Sequence, residues 1–166
     1  MLISVVAPFL GGLYGMIHHR ITYSISSEYY TESKFDKFYI SEDPVVEATP
    51  SDDFLRQEAM SVGFLEGFGI SFFPILILGL FGFFQANAQK MLFVVSKSLL
   101  IMLFVTFLIG LLGGLYGKYF MDYQHVLFPI NLQNKSNYVV VQSIFRFSFW
   151  GVFIGLMSGF IYQVRH

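Results

Sequence analysis

The sequence contains no cysteine and little charge: 13% of its 166 residues are Asp, Glu, Lys or Arg. The missing thiols exclude disulfides, thiolate catalysis, Cys-ligated zinc and iron–sulfur clusters together. Soluble domains run at about a quarter charged residues, so about half the usual means of wetting a surface is present. Lys and Arg form no cluster and the net charge is −1, which excludes a nucleic-acid partner, because that needs a concentrated basic surface to displace counterions. There is no P-loop, GxSxG or HExxH pattern, so no catalytic residue and no cofactor are assigned.

What is abundant is apolar: 55% hydrophobic residues, 21 of them Phe. They gather in four runs, over 2–17, 59–84, 91–117 and 139–162. In hydrocarbon a backbone must satisfy its own hydrogen bonds, so runs of this length are read as helices. The expected fold is an all-α membrane protein, four transmembrane helices in a lipid bilayer. The first run is short, yet no Lys or Arg precedes it and no small-x-small cleavage site ends it, so it is expected to persist as a span.

Residues 18–57 form an acidic, Tyr-rich loop with eight of the eleven acids: Glu28, Glu32, Asp36, Glu42, Asp43, Glu47, Asp52 and Asp53. Ile21, Tyr23 and Ile25 alternate with Thr22, Ser24 and Ser26, the period of a half-exposed strand. Tyr29, Tyr30, Phe35, Phe38 and Tyr39 follow among charges, which predicts packing against the membrane surface or a partner. The stretch 42–53, with two prolines and no aromatic residue, reads as an extended lead-in to the second helix.

Leu10 to Gly15 recurs letter for letter as Leu112 to Gly117, at the end of the first and third runs. This predicts two repeated helix pairs related by an axis along the membrane normal. Glycines four apart recur in every helix: Gly11 and Gly15, Gly63 and Gly67, Gly113 and Gly117, Gly151 and Gly155. Such spacing lets helix backbones approach closely in lipid, so the bundle should be tight.

Two charges interrupt the runs. Glu66 shares a helix face with Gly63 and Gly67 and should point into the bundle; an acid within a span is a functional hypothesis by default. Arg146 enters its run from the same side, so the two form a candidate intramembrane polar site, or Arg146 snorkels to the headgroups beside Trp150. His18, His19, Glu58, Asp122 and His125 gather at one membrane face as a second polar candidate, able to move protons or, as a weaker alternative, to ligate metal. Pro74 should kink the second helix. Asn134-Lys135-Ser136 matches a glycosylation sequon, a pattern common by chance.

The run from Gly15 through His18 to Tyr30 resembles a stretch in small bacterial integral membrane proteins of no assigned activity. His18, Ile21 to Ser26, Glu28, Tyr29 and Tyr30 carry the likeness. It implies a distinctive segment after the first helix and no catalytic role. The expected location is the bacterial cell membrane, with both termini cytoplasmic and the acidic loop outside, although six basic residues on the loop side against three on the other favour the reverse by simple count. Three functions stand as expectations: first a structural component that docks a protein partner or a second copy through the loop, and second a small-solute or proton-coupled transport component using Glu66 and Arg146. An intramembrane metal protein or enzyme is the third.

Overall fold

The computed structural model describes residues 2–38, 51–122, 128–129 and 132–166. Among these there is no strand. The elements are α1 (Leu2–Ile25), a single turn α2 (Ser27–Tyr29), a π-helical turn (Tyr30–Lys34), a 3-10 turn (Phe35–Phe38), α3 (Asp52–Gly82), α4 (Ala88–Tyr119) and α5 (Lys135–Arg165). Helices α3, α4 and α5 are long and apolar enough to cross a membrane.

Helices α3, α4 and α5 begin before their apolar stretches, because polar residues cap and extend their amino ends. Ser51 Oγ accepts from Phe54 N at 3.3 Å, and Asp52 and Asp53 occupy the first turn of α3, where negative charge favours the helix dipole. They are therefore helical, not part of an extended lead-in. Residues 42–50 of that lead-in lie outside the described residues. Asn87 and Asn134 cap α4 and α5 through their side-chain oxygens, at 2.8 Å from Lys90 N and 3.1 Å from Asn137 N. The asparagine of the sequon thus serves as a helix cap. Helix α3 continues through Pro74.

The strand expected at 21–26 is instead the last turns of α1. His19, Thr22, Tyr23 and Ser26 are buried while Ile21 is half exposed, and that spacing is helical. Thr22 Oγ1 donates to the carbonyl of His18 at 2.9 Å and Ser24 Oγ to that of Arg20 at 3.0 Å. Their hydroxyls are satisfied on the helix itself, so alternating polarity carries no strand signal here. Ser26 then breaks the helix with φ −149° and caps α2. The loop therefore begins eight residues later than the apolar run suggests.

The helices pack as two antiparallel pairs, α1 on α3 and α4 on α5, with sparser contact between the pairs. Within each pair backbone meets backbone. A methyl group on Gly15 would strike the carbonyl of Gly63, and one on Gly11 that of Gly67. In the second pair a methyl on Gly113 would lie 2.7 Å from the Ser143 carbonyl, and on Gly117 3.0 Å from that of Val139. Further along, Gly155 abuts the Met102 carbonyl and Gly159 that of Ser98. At the closest of these contacts any side chain would force the helices apart.

Candidate functional site

The seam between the pairs is filled by side chains. At one end Gln163 Nε2, on α5, donates to the Leu78 carbonyl on α3 at 3.1 Å, and Phe81 meets Phe160 edge-on at 4.6 Å. At the other end lies a polar cluster that the short turns after α1 complete.

Residues 27–38 fold back over the helices as a strap. Tyr30 is wholly buried; its hydroxyl lies 2.6 Å from Thr22 Oγ1 and 3.1 Å from the His19 carbonyl. Glu28 receives backbone N–H groups of Gln133 and Asn134 at 3.0 and 2.9 Å, so its carboxylate closes the amino end of α5. Ser33 Oγ lies 2.6 Å from Tyr138 Oη on α5, and Tyr23 Oη donates to Asp52 at 2.9 Å. The strap thus ties the first pair to the second. Burial pushes the Tyr29 phenol up to about 12 and the Tyr30 phenol higher still, so both remain neutral hydroxyls.

The strap delivers Lys34 to Glu66. Lys34 Nζ stands 2.7 Å from Glu66 Oε2, and His19 Nε2 3.2 Å from the same oxygen. Lys34 is buried, and burial lowers its pKa while the Glu66 carboxylate opposes that shift. The Lys34–Glu66 pair carries no net charge whichever atom holds the proton, which limits the cost of placing it inside. Phe145 is the hub beneath them: Lys34 Nζ sits 4.3 Å from its ring centre, the His19 and His18 rings meet it edge-on at 4.9 and 5.1 Å, and Tyr29 stacks on it at 5.3 Å. A cation over an aromatic face in a desolvated place is an attractive contact.

Glu66 is not sealed among the glycines. With Tyr14, His18, His19, Thr106 and Ser148 it lines a cavity of about 100 Å³ between the pairs. Its side chain remains 24% exposed. His18 Nε2 reaches Ser148 Oγ at 3.4 Å, a long contact.

Of the residues expected at the site, Glu66, His18 and His19 come together. Arg146 does not join them: its residue is exposed, as is Trp150, and Lys34 takes the place of the cation facing Glu66. Glu58 and Asp122 do not line the cavity, and His125 lies outside the described residues. Among the described residues no three His, Asp or Glu side chains are grouped as metal ligands. Sequence reasoning missed Lys34 and Phe145. Lys34 was the residue to suspect, a lone cation between the aromatic residues Tyr30 and Phe35.

No protein-family model, curated protein or solved structure matches this chain.

Proposed function

We propose that this chain is a four-span integral membrane protein in which Glu66 is the proton-binding group of a proton-coupled component. The supporting observation is that the carboxylate, held by Lys34 and His19, lines a cavity between the helix pairs and is not sealed among the glycines. A space of about 100 Å³ has room for a few water molecules beside Glu66, and most of its remaining wall is apolar. An imidazole and two hydroxyls along the wall, from His18, Tyr14 and Ser148, are groups that can relay protons.

The two pairs are proposed to be copies of one unit. Gly11 and Gly15 face the carbonyls of residues 67 and 63, and Gly113 and Gly117 face those of 143 and 139, the same reversed register on the repeated hexapeptide. In that register Gln142 is the counterpart of Glu66, so one half carries an acid where the other carries an amide. We also propose, from the resemblance after the first helix, a bacterial cell membrane as its location, with both termini cytoplasmic.

The test uses proteoliposomes holding the full chain and a trapped pH dye. After an imposed pH step, wild-type vesicles should equilibrate faster than protein-free vesicles, and Glu66→Gln should abolish the difference. Equal rates for all three would leave a structural role, in which the Lys34–Glu66 pair only fastens the strap. That second reading loses its docking surface in part, because Tyr29, Tyr30 and Phe35 turn inward.

A further inference from the structure

The two ends of the bundle differ in how their cations are matched. At the strap end Lys34 pairs with Glu66 and Arg56 with Asp52. At the opposite end α3 stops at Gly82, α4 starts at Ala88 and α5 stops at Arg165. The segments that meet there, 81–97 and 160–166, carry Lys90, Lys97 and Arg165 and no Asp or Glu. Among the described residues none of these three cations has an ion pair.

Between the three helix ends lies a pocket of about 510 Å³, with Lys90, Gln85, Gln163 and His166 on its polar wall and Phe84 and Phe160 on its apolar one. Most of the polar groups are already engaged. Gln163 Nε2 donates to the Leu78 carbonyl at 3.1 Å, and Gln85 Nε2 reaches the Gln163 carbonyl at 3.4 Å, a long contact. His166 Nδ1 lies 3.1 Å from the Tyr162 carbonyl, and its ring stacks on Tyr162 at 4.4 Å. That leaves the Lys90 ammonium, exposed and unmatched, as the charge that the pocket offers.

The level of the pocket in the bilayer follows from the turn between α3 and α4. Phe83 and Phe84 are 69% and 84% exposed. Rings so bare are costly in water, so the turn sits at the acyl boundary and Lys90 extends toward the headgroups. An ammonium without a counter-charge at that level attracts an anion, and the anions held there are lipid phosphates. A zwitterionic lipid brings its own cation to its phosphate, whereas a net-negative one leaves the charge for Lys90.

We propose that the pocket binds one anionic glycerophospholipid, with its phosphate on the Lys90 ammonium and the Gln85 amide and an acyl chain against Phe84 and Phe160. The binding involves neither Glu66 nor the cavity beside it, so the vesicle experiment above and the one below fail separately.

The test is native mass spectrometry of the full chain in detergent, titrated with dioleoylphosphatidylglycerol and, separately, with dioleoylphosphatidylcholine, which has the same chains and a zwitterionic head. Wild-type protein should take up one phosphatidylglycerol saturably and about tenfold more tightly than phosphatidylcholine. Lys90→Gln should weaken phosphatidylglycerol binding about 5-fold, and Lys90→Arg should keep it. Gln85→Glu, which sets a carboxylate in the same pocket, should abolish the preference between the two lipids. Lys97→Gln is the control: Lys97 lies over the Phe93 ring at 4.3 Å and outside the pocket, so its loss should change the affinity by less than about twofold. Equal affinity of the wild type for the two lipids overturns the proposal. So does an equal loss in Lys97→Gln and Lys90→Gln, which would mean that the whole face attracts anions without a site. Full displacement of the lipid by glycerol 3-phosphate also overturns it, because the ligand would then be a soluble phosphate ester.

Discussion

Inside each helix pair the contact is backbone on backbone, Gly15 against the Gly63 carbonyl and Gly155 against that of Met102. Between the pairs it is side chain on side chain: Phe145 under Lys34, Glu66 between Lys34 and His19, and a cavity left beside them. Close-packed backbones have one arrangement, since sliding either helix drives a Cα into a carbonyl. Side chains over a cavity have rotamers to spare and room to use them. The pairs should therefore behave as rigid bodies, and the proposed protonation of Glu66 would act at the seam.

Substitutions separate the two kinds of contact. Gly15→Val should do the most damage, forcing α1 from α3 and costing at least about 3 kcal/mol in reversible unfolding from mixed micelles. Phe145→Ala removes the hub of the seam and should cost about 3 kcal/mol, but with a local signature: hydrogen exchange should accelerate in residues 27–38 while the glycine crossings stay protected. If protection falls evenly through both pairs, the division between rigid pairs and soft seam is wrong.

Lys34→Met leaves the Glu66 carboxylate without its ammonium. Glu66 keeps some exposure and the His19 contact, so the expected loss is about 2 kcal/mol, less than for a sealed pair. Adding Glu66→Gln should recover most of it, since the uncompensated charge is then gone. A double variant weaker than the single would contradict the pairing. Glu28→Gln should cost about 1 kcal/mol by weakening the cap on α5, read in the same unfolding assay. Gly69→Ala is the quiet control: nothing lies within 4 Å of its added methyl, and stability should stay within about 0.5 kcal/mol.

Much of this molecule is legible in the sequence because lipid imposes simple rules. Apolar runs longer than a bilayer is thick become helices, and glycines four apart in each run signal close approach. The helix ends were legible only through capping residues such as Ser51, Asn87 and Asn134, which extend the helices past their apolar stretches. The end of α1 was misread because alternation of Ile21, Tyr23 and Ile25 with hydroxyl residues imitates a strand when those hydroxyls can bond back along a helix. At the site, Glu66 stood out as an acid in an apolar run. Its cation did not, since Lys34 lies 32 residues away in an acidic segment and reaches Glu66 only because Tyr30, Ser33 and Glu28 fold that segment inward. Arg146 had the better position on paper, but its side of α5 faces outward.

The absence of native cysteine makes the central claim directly measurable by spin labels on introduced cysteines. Ile17 on α1, Leu65 on α3 and Leu112 on α4 are exposed and suited to labelling. Pulsed-dipolar distances from Ile17→Cys to Leu65→Cys report on one rigid pair, and those from Ile17→Cys to Leu112→Cys cross the seam. With Glu66→Gln standing in for the protonated acid, the cross-seam distribution should shift or broaden while the within-pair distribution stays fixed. An unchanged cross-seam distance, or equal changes in both, would contradict a seam that responds to the protonation of Glu66.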